Sequence, residues 1–433
     1  MKKIFTLSFV LFFISLYANE HKFAIIADFG GDMLPANGVC GGGPSMPRGL
    51  CINKVGPVFY SIYPDEYDAL VFFTTKPLAG FNDPKQAFIT KADIKGIGYD
   101  VALSNPSQVG SAGRLMVSAV VGNLASFPDD PDGTFSIVPI KGVEVIAHEI
   151  AHRWLSYVKV DHNDGAGKRD ILRDYVNESA GNHWSCWFNT DGSVQYGGTL
   201  ADNGDGTFTD TFGPRKFSQL DQYLMGIRPP EEVDPMYYVR VGYSLNGCPD
   251  MPGQPGTTKI YTGQKIEFGI EDIIRANGAR EPASSPCHLK VGFVLVHHPD
   301  FYPLPFELEK VENYRKALED WWITATDGRG SIDTDIRRCG TGTDQCPGAA
   351  DINCEETEPE LPDDDIATDD NNTDDSDHTG INDKDTETPD RTVEDNDDKE
   401  AEISDEKSDN KENDTDETST SKKSGGCALI TVK

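Results

Sequence analysis

Residues 143–155 read VEVIAHEIAHRWL. On a helix, His148 and His152 lie one turn apart on the same side, so both imidazoles can face one cation, and Glu149 can reach a water held there. Val143, Ile146, Ala147, Ile150 and Trp154 form an apolar stripe on the other side. This pattern predicts a helix over 143–158 that buries one face and turns its histidines toward a cleft. Imidazoles suit zinc, and a hydrolytic zinc site takes three protein ligands and leaves the fourth position to water. Zinc lowers the pKa of that water to about 7, a general base takes its proton, and the hydroxide attacks a carbonyl polarised by the metal. The expected chemistry is therefore hydrolysis of a protein or peptide substrate, with Glu149 as the catalytic base.

A third ligand has to come from elsewhere in the chain. The metzincin pattern would put Gly three residues and His six residues beyond His152, but Leu155 and Val158 stand there. Glu178, in Asn177-Glu178-Ser179-Ala180-Gly181, resembles the Asn-Glu helix signature of gluzincins. His183, in Asn182-His183-Trp184-Ser185, is a second candidate, and the loop residue His162 a third. Tyr223 and Met225 occur in the order expected of a tyrosine near the substrate oxyanion and a methionine turn under the metal. The alternative is a helix that places Leu220, Tyr223 and Leu224 in the core, and the spacing favours that reading. Asp202, Asp205 and Asp210, among turn glycines, offer carboxylates to Ca2+, although Asn-Gly-Asp-Gly equally suits a hairpin turn. His297 and His298 mark the exit of an apolar strand. Cys186 lacks the accompanying histidine motif of a nucleophile and reads as disulfide-bonded or buried.

The elements that position these residues are legible in outline. FAIIADF, VFYSIY, DALVFFTT, GRLMVSAVV and FSIVPI read as strands between Gly, Pro, Asn and Asp turns. Helical patterns cover 143–158, 217–225 and 308–322. The expected fold is α+β, a mixed sheet with an active-site helix and with the long helices following the sheet.

Two lysines, an apolar run over 4–17 and a small residue, Ala18, predict a secretory signal peptide over 1–18. Nine cysteines in an exported chain predict disulfides, with Cys40 and Cys51 closing a short Gly/Pro-rich loop. A single catalytic domain is expected over 19–354. Most of the net charge of −33 falls in 355–426, a segment too acidic and too poor in apolar residues to build a core, hence an expected disordered stalk. With only a minor share of the imbalance left on the folded part, and that share acidic, nucleic acid is excluded as a partner. Residues 427–433, with Cys427 behind two glycines, suggest sorting or attachment to the cell surface.

Several blocks together resemble a group of exported bacterial proteins that combine His-Glu-x-x-His-Arg-Trp with a downstream His-Trp-Ser. They are GSAGRLMVSAVV, HEIAHRW, HWSCWFNTDGSV, DNGDGTFTD, FSQLDQYLMGIRPPEEV and ATDGRGSID, spread over most of 55–335. The resemblance implies a zincin-like fold and favours His183 as the third metal ligand. The competing expectation is a surface binding or adhesion protein with a closed structural zinc site and no catalysis.

Overall fold

The computed structural model describes residues 21–40, 49–78, 85–99, 105–135, 140–172, 182–211, 215–241 and 258–336. Glu178, most of FSIVPI, the expected signal peptide, the acidic segment and Cys427 lie outside the described residues. The chain divides into two units, and every described residue belongs to the first.

The fold is α+β. The strands in chain order are β1 (Ala24–Ala27), β2 (Ala69–Thr74), β3 (Gln86–Ile89), β4 (Val117–Asn123), β5 (Lys159–Val160), β6 (Arg169–Asp170), β7 (Trp184–Asn189) and β8 (Tyr196–Gly198). They continue with β9 (Leu200–Asp202), β10 (Thr207–Asp210), β11 (Met236–Arg240), β12 (Lys259–Thr262), β13 (Gln264–Phe268), β14 (His288–His297) and β15 (Ser331–Asp333). The helices are α1 (Ile52–Tyr60), α2 (Gly142–Ala151), α3 (Gln219–Met225), α4 (Ile270–Asn277) and α5 (Pro305–Ala325).

The main sheet runs β1-β14-β2-β4-β3, with β15 beside the first half of β14. Its inner pairs are parallel, and β3 closes one edge antiparallel to β4. Strands of this kind are covered on both faces and read as unbroken apolar runs, as ALVFFT and VSAVV do. Alternation divides them. Ala69, Val71 and Phe73 of β2, with Val117, Ala119 and Val121 of β4 and Val291, Phe293 and Leu295 of β14, pack against Ile146 and Ile150 of α2 and Tyr314 and Leu318 of α5. Leu70, Phe72, Val120, Val294 and Val296 face the other way, onto Ile52, Val55 and Phe59 of α1.

Three expectations are corrected here. VFYSIY is not a strand: its first half ends α1, because Ile52, Val55, Gly56 and Phe59 recur at helical spacing and bury one face. The long helices do not simply follow the sheet, since the central strand β14 comes after α2, α3 and α4 and completes it late in the chain. The metal-site helix ends at Ala151 rather than 158, where tightened turns carry the Arg153 and Trp154 N–H groups to Ile150 and Ala151. His152 caps it and keeps helical dihedrals, so its spacing to His148 survives.

α5 fixes the entry to α2. Lys310 donates to the Phe127 carbonyl at 2.7 Å and to Asp129 at 2.8 Å, and the Tyr314 hydroxyl donates to the Pro128 carbonyl at 2.8 Å. The first residue of α2 is Gly142, where an added Cβ would stand 2.1 Å from the Tyr314 Oη. Gly142→Ala is therefore expected to destabilise the fold by about 1–3 kcal/mol through overpacking, even though alanine is the better helix former. Urea midpoints of the two proteins measure it, and an unchanged or raised midpoint would contradict the packing described.

Candidate metal centre

All ten residues of α2 are buried, as the helix is enclosed on its histidine side as well. The apolar stripe packs as expected, with β4 covering that face, and the histidine side is covered by the segment around β7 and β8. β7 and β8 belong to a second sheet of order β13-β11-β7-β8. They pair in parallel with Trp184 opposite Tyr196, and the Trp184 N–H donates to the Gln195 carbonyl at 3.0 Å. His183, which immediately precedes β7, is carried onto the histidine face of α2.

His148, His152 and His183 form the one group of side chains among the described residues arranged to hold a metal ion. The Nε2 of His148 lies 3.1 Å from the Nε2 of His152 and 3.1 Å from that of His183. Nitrogens bound tetrahedrally to zinc at the usual bond length sit about 3.3 Å apart, so the spacing suits one small cation. The His148 Nδ1–H donates to the Val194 carbonyl at 2.9 Å, which leaves its Nε2 lone pair free to face the other two rings. The Gln195 Nε2–H donates to the His148 carbonyl at 2.6 Å, so one loop grips both the ring and the backbone of the same ligand. Tyr196 packs its ring 5.1 Å from that of His148 and 4.8 Å from that of His183, on a left-handed backbone with φ of 72°.

Electrostatics favour the neutral imidazoles a cation needs. Burial pushes the His148 pKa down to about 4. Burial, with His148 beside it, drives His152 well below the ordinary histidine value. Glu149 is fully buried, and among the described residues neither carboxyl oxygen has a hydrogen-bond partner. Burial pushes its pKa up to about 8, with Lys85 pulling the other way. A buried carboxyl left without partners costs about 1–3 kcal/mol, and a cation on the adjacent imidazoles, with its water, would meet that need.

One residue behind the site was not singled out from the sequence. Asp221, on α3, is completely buried and accepts from Trp184 Nε1 at 2.8 Å, Ser193 Oγ at 2.6 Å and Ser218 N at 2.8 Å. It therefore ties the neighbour of His183 to the neighbour of Val194. Ser218-x-x-Asp221 is visible in the sequence as a capping box, but nothing local announces its bonds to Trp184 and Ser193.

Other candidates fall elsewhere. Tyr223 accepts from the Arg280 N–H at 3.3 Å and is buried with Leu220, Leu224 and Met225 in the core. His162 Nε2 lies 3.1 Å from the Tyr238 hydroxyl, outside the histidine group. Residues 200–210 form the β9–β10 hairpin. Asp202 and Asp205 accept from the N–H groups of that turn, Asp202 also pairs with Lys265, and Asp210 accepts the Thr199 N–H; among the described residues the three carboxylates do not come together as a group that could hold a metal ion. His297 ends β14, its Nδ1 against the His298 and Phe301 carbonyls. Cys40 and Cys51 are joined, and Cys186 and Cys287 each take part in a further disulfide. No helix among the described residues is long and apolar enough to cross a membrane.

Comparison of the chain with family models, with curated proteins and with solved structures finds no match.

The buried groups set a pH dependence for the metal-stripped protein. Below about pH 6.5 the unfolded chain takes protons at His148 and His152 that the folded chain refuses, so stability falls on acidification, the His148 contribution levelling near pH 4. The folded chain keeps a proton on Glu149 up to about pH 8 that the unfolded chain releases near 4.5, so stability also falls as pH rises toward 8. Urea midpoints in chelator should peak near pH 6.5, and Glu149→Gln should remove the alkaline fall. An alkaline fall of the same size in both proteins would show that Glu149 is not its source.

Proposed function

We propose that this chain is an exported zinc metallopeptidase with a zincin-like catalytic unit, its metal held by His148, His152 and His183 and its general base supplied by Glu149. The observation that carries the reading is the pair of partnerless carboxyl oxygens of Glu149, fully buried beside three converging imidazoles. A structural zinc site has no use for that carboxyl and would still bear the cost of burying it. A hydrolytic site uses it at every turnover.

Bound to the three nitrogens, zinc would supply a Lewis acid that polarises a carbonyl and acidifies water. The residues of this chain do the rest. The Val194 carbonyl holds His148 in the tautomer that presents Nε2, and Gln195 fixes the helix backbone at the same residue. The Glu149 carboxylate takes the proton of the attacking water and passes it to the leaving amine nitrogen. Its pKa of about 8 without a metal is drawn down by a neighbouring cation, toward the neutral range in which one group both accepts and returns a proton.

A peptide substrate is supported by the sheet. β3 is an edge strand that pairs, among the described residues, with β4 alone. It begins directly after Lys85, a residue within electrostatic reach of Glu149. An extended peptide can add to such an edge through main-chain hydrogen bonds. The mixed sheet with an antiparallel edge and a histidine-bearing helix packed on β4 also agrees with the fold implied by the resemblance. Export rests on the signal-peptide pattern of 1–18 and on the disulfides.

The deciding experiment is zinc content together with hydrolysis of a broad peptide library by the purified chain, beside Glu149→Gln. One zinc per chain in both proteins is expected, with cleavage reduced about a hundredfold or more in the variant. Zinc in both with no cleavage by the parent would favour a binding protein with a structural site, and absence of zinc would overturn the metal centre itself.

A further inference from the structure

At the end of the main sheet where β2, β4 and β14 begin, a cavity of about 210 Å³ opens between the sheet and the segment after α2. None of the three clustered histidines lines it, nor does Glu149. Ile94, Met116, Trp154 and Leu289 make much of its wall apolar, and three cations, Lys91, Arg114 and Arg153, reach it beside two carboxylates.

These charges are not evenly matched. Arg114 is neutralised by Asp68 through contacts of 2.7 and 3.1 Å, and Asp68 also accepts the Lys290 N–H at 2.9 Å. Arg153, with a side chain 1% exposed, has among the described residues only Asp93 as an ion-pair partner, and the Asp93 side chain is itself 63% exposed. The Arg153 Nε and Nη1 make no hydrogen bond among the described residues. Lys91 Nζ has no hydrogen bond or ion pair among the described residues. In a chain of net charge −33, this cavity therefore carries a surplus of positive charge. A buried guanidinium whose counter-ion stands in solvent is poorly compensated, and an incoming anion that excludes water compensates it better.

We propose that this cavity binds a carboxylate carried on an apolar group, held by Arg153 and Lys91, with Asp93 occupying the carboxylate position until the ligand displaces it. The apolar walls take the hydrocarbon, as small-molecule sites generally do. A free branched acid and the C-terminal carboxylate of a peptide ending in leucine share this chemistry. The site stands apart from the histidine cluster and does not depend on the peptidase reading.

Calorimetric titration of the full chain tests the proposal, with zinc and after chelation, in a Glu149→Gln background so that peptides stay intact. The probes are 4-methylpentanoate, its neutral amide, and a short peptide ending in leucine as free acid or as amide. Both acids are expected to bind in both metal states, with the neutral partners weaker by about tenfold or more, the factor for one lost charge-assisted bond. Lys91→Gln should weaken the acids, and Asp93→Asn, which removes the competing charge, should tighten them. Tighter binding of the peptide acid assigns the site to a peptide C-terminus, and tighter binding of the small acid to a free acid. Failure of both acids to bind, binding that disappears with zinc, or affinities indifferent to both substitutions would overturn the proposal.

Discussion

The hydrogen bond from His148 Nδ1 to the Val194 carbonyl is the contact around which the three-histidine cluster is organised. An imidazole has two nitrogens and, when neutral, one proton; occupying Nδ1 with a carbonyl acceptor commits Nε2 to be a lone pair. That commitment lets His152 and His183 bring their own Nε2 atoms to 3.1 Å from it. The carbonyl itself must be held in place. Ser193 beside it donates to Asp221, the same carboxylate accepts from Trp184 beside His183, and Gln195 on the other side is bonded to the helix. Helix, strand and loop are thus registered to one another by a few buried polar bonds rather than by packing alone.

Burial sets the terms on which these groups operate. In water three neutral imidazoles and a carboxylate would need no special arrangement. Inside the fold, charging either His148 or His152 is disfavoured and ionising Glu149 is disfavoured, so the imidazoles stay in the neutral form that ligation requires, and a cation beside them would favour the ionised form of Glu149. The rigid part of the structure makes this arrangement tolerable. A sheet covered on both faces anchors α2 through Ile146 and Ile150, while Lys310 and Tyr314 of α5 fix the loop that leads into it. A site that costs stability sits on elements that supply it.

How much of this was legible follows from the range of each interaction. His148, Glu149 and His152 could be read directly because their relation is local: four residues of helix place two rings on one side whatever the rest of the chain does. β2 and β4 were equally legible, since a strand buried on both faces must be apolar throughout. VFYSIY was misread because a short apolar run fits either period, and the residues that settle it, Ile52 and Val55, lie upstream of the run. Asp221 was passed over in favour of Tyr223 and Met225 because its partners are 28 and 37 residues away.

The sequence by itself determined the chemistry on offer: two imidazoles and a carboxylate on one helix, a supply of further candidate ligands, and α+β segments to mount them. Only the tertiary structure decided which candidates meet. His183 joins the helix pair because β7 and β8 lie side by side and deliver it there, whereas His162, as close to His152 in sequence as many contacts are, turns to Tyr238 instead. The same holds for the surplus of positive charge around Arg153, which arises where strands distant in sequence begin at one end of the sheet. The physical reason is that a helix fixes neighbours through its own backbone, while a sheet brings together residues whose separation along the chain carries no information about their distance in space.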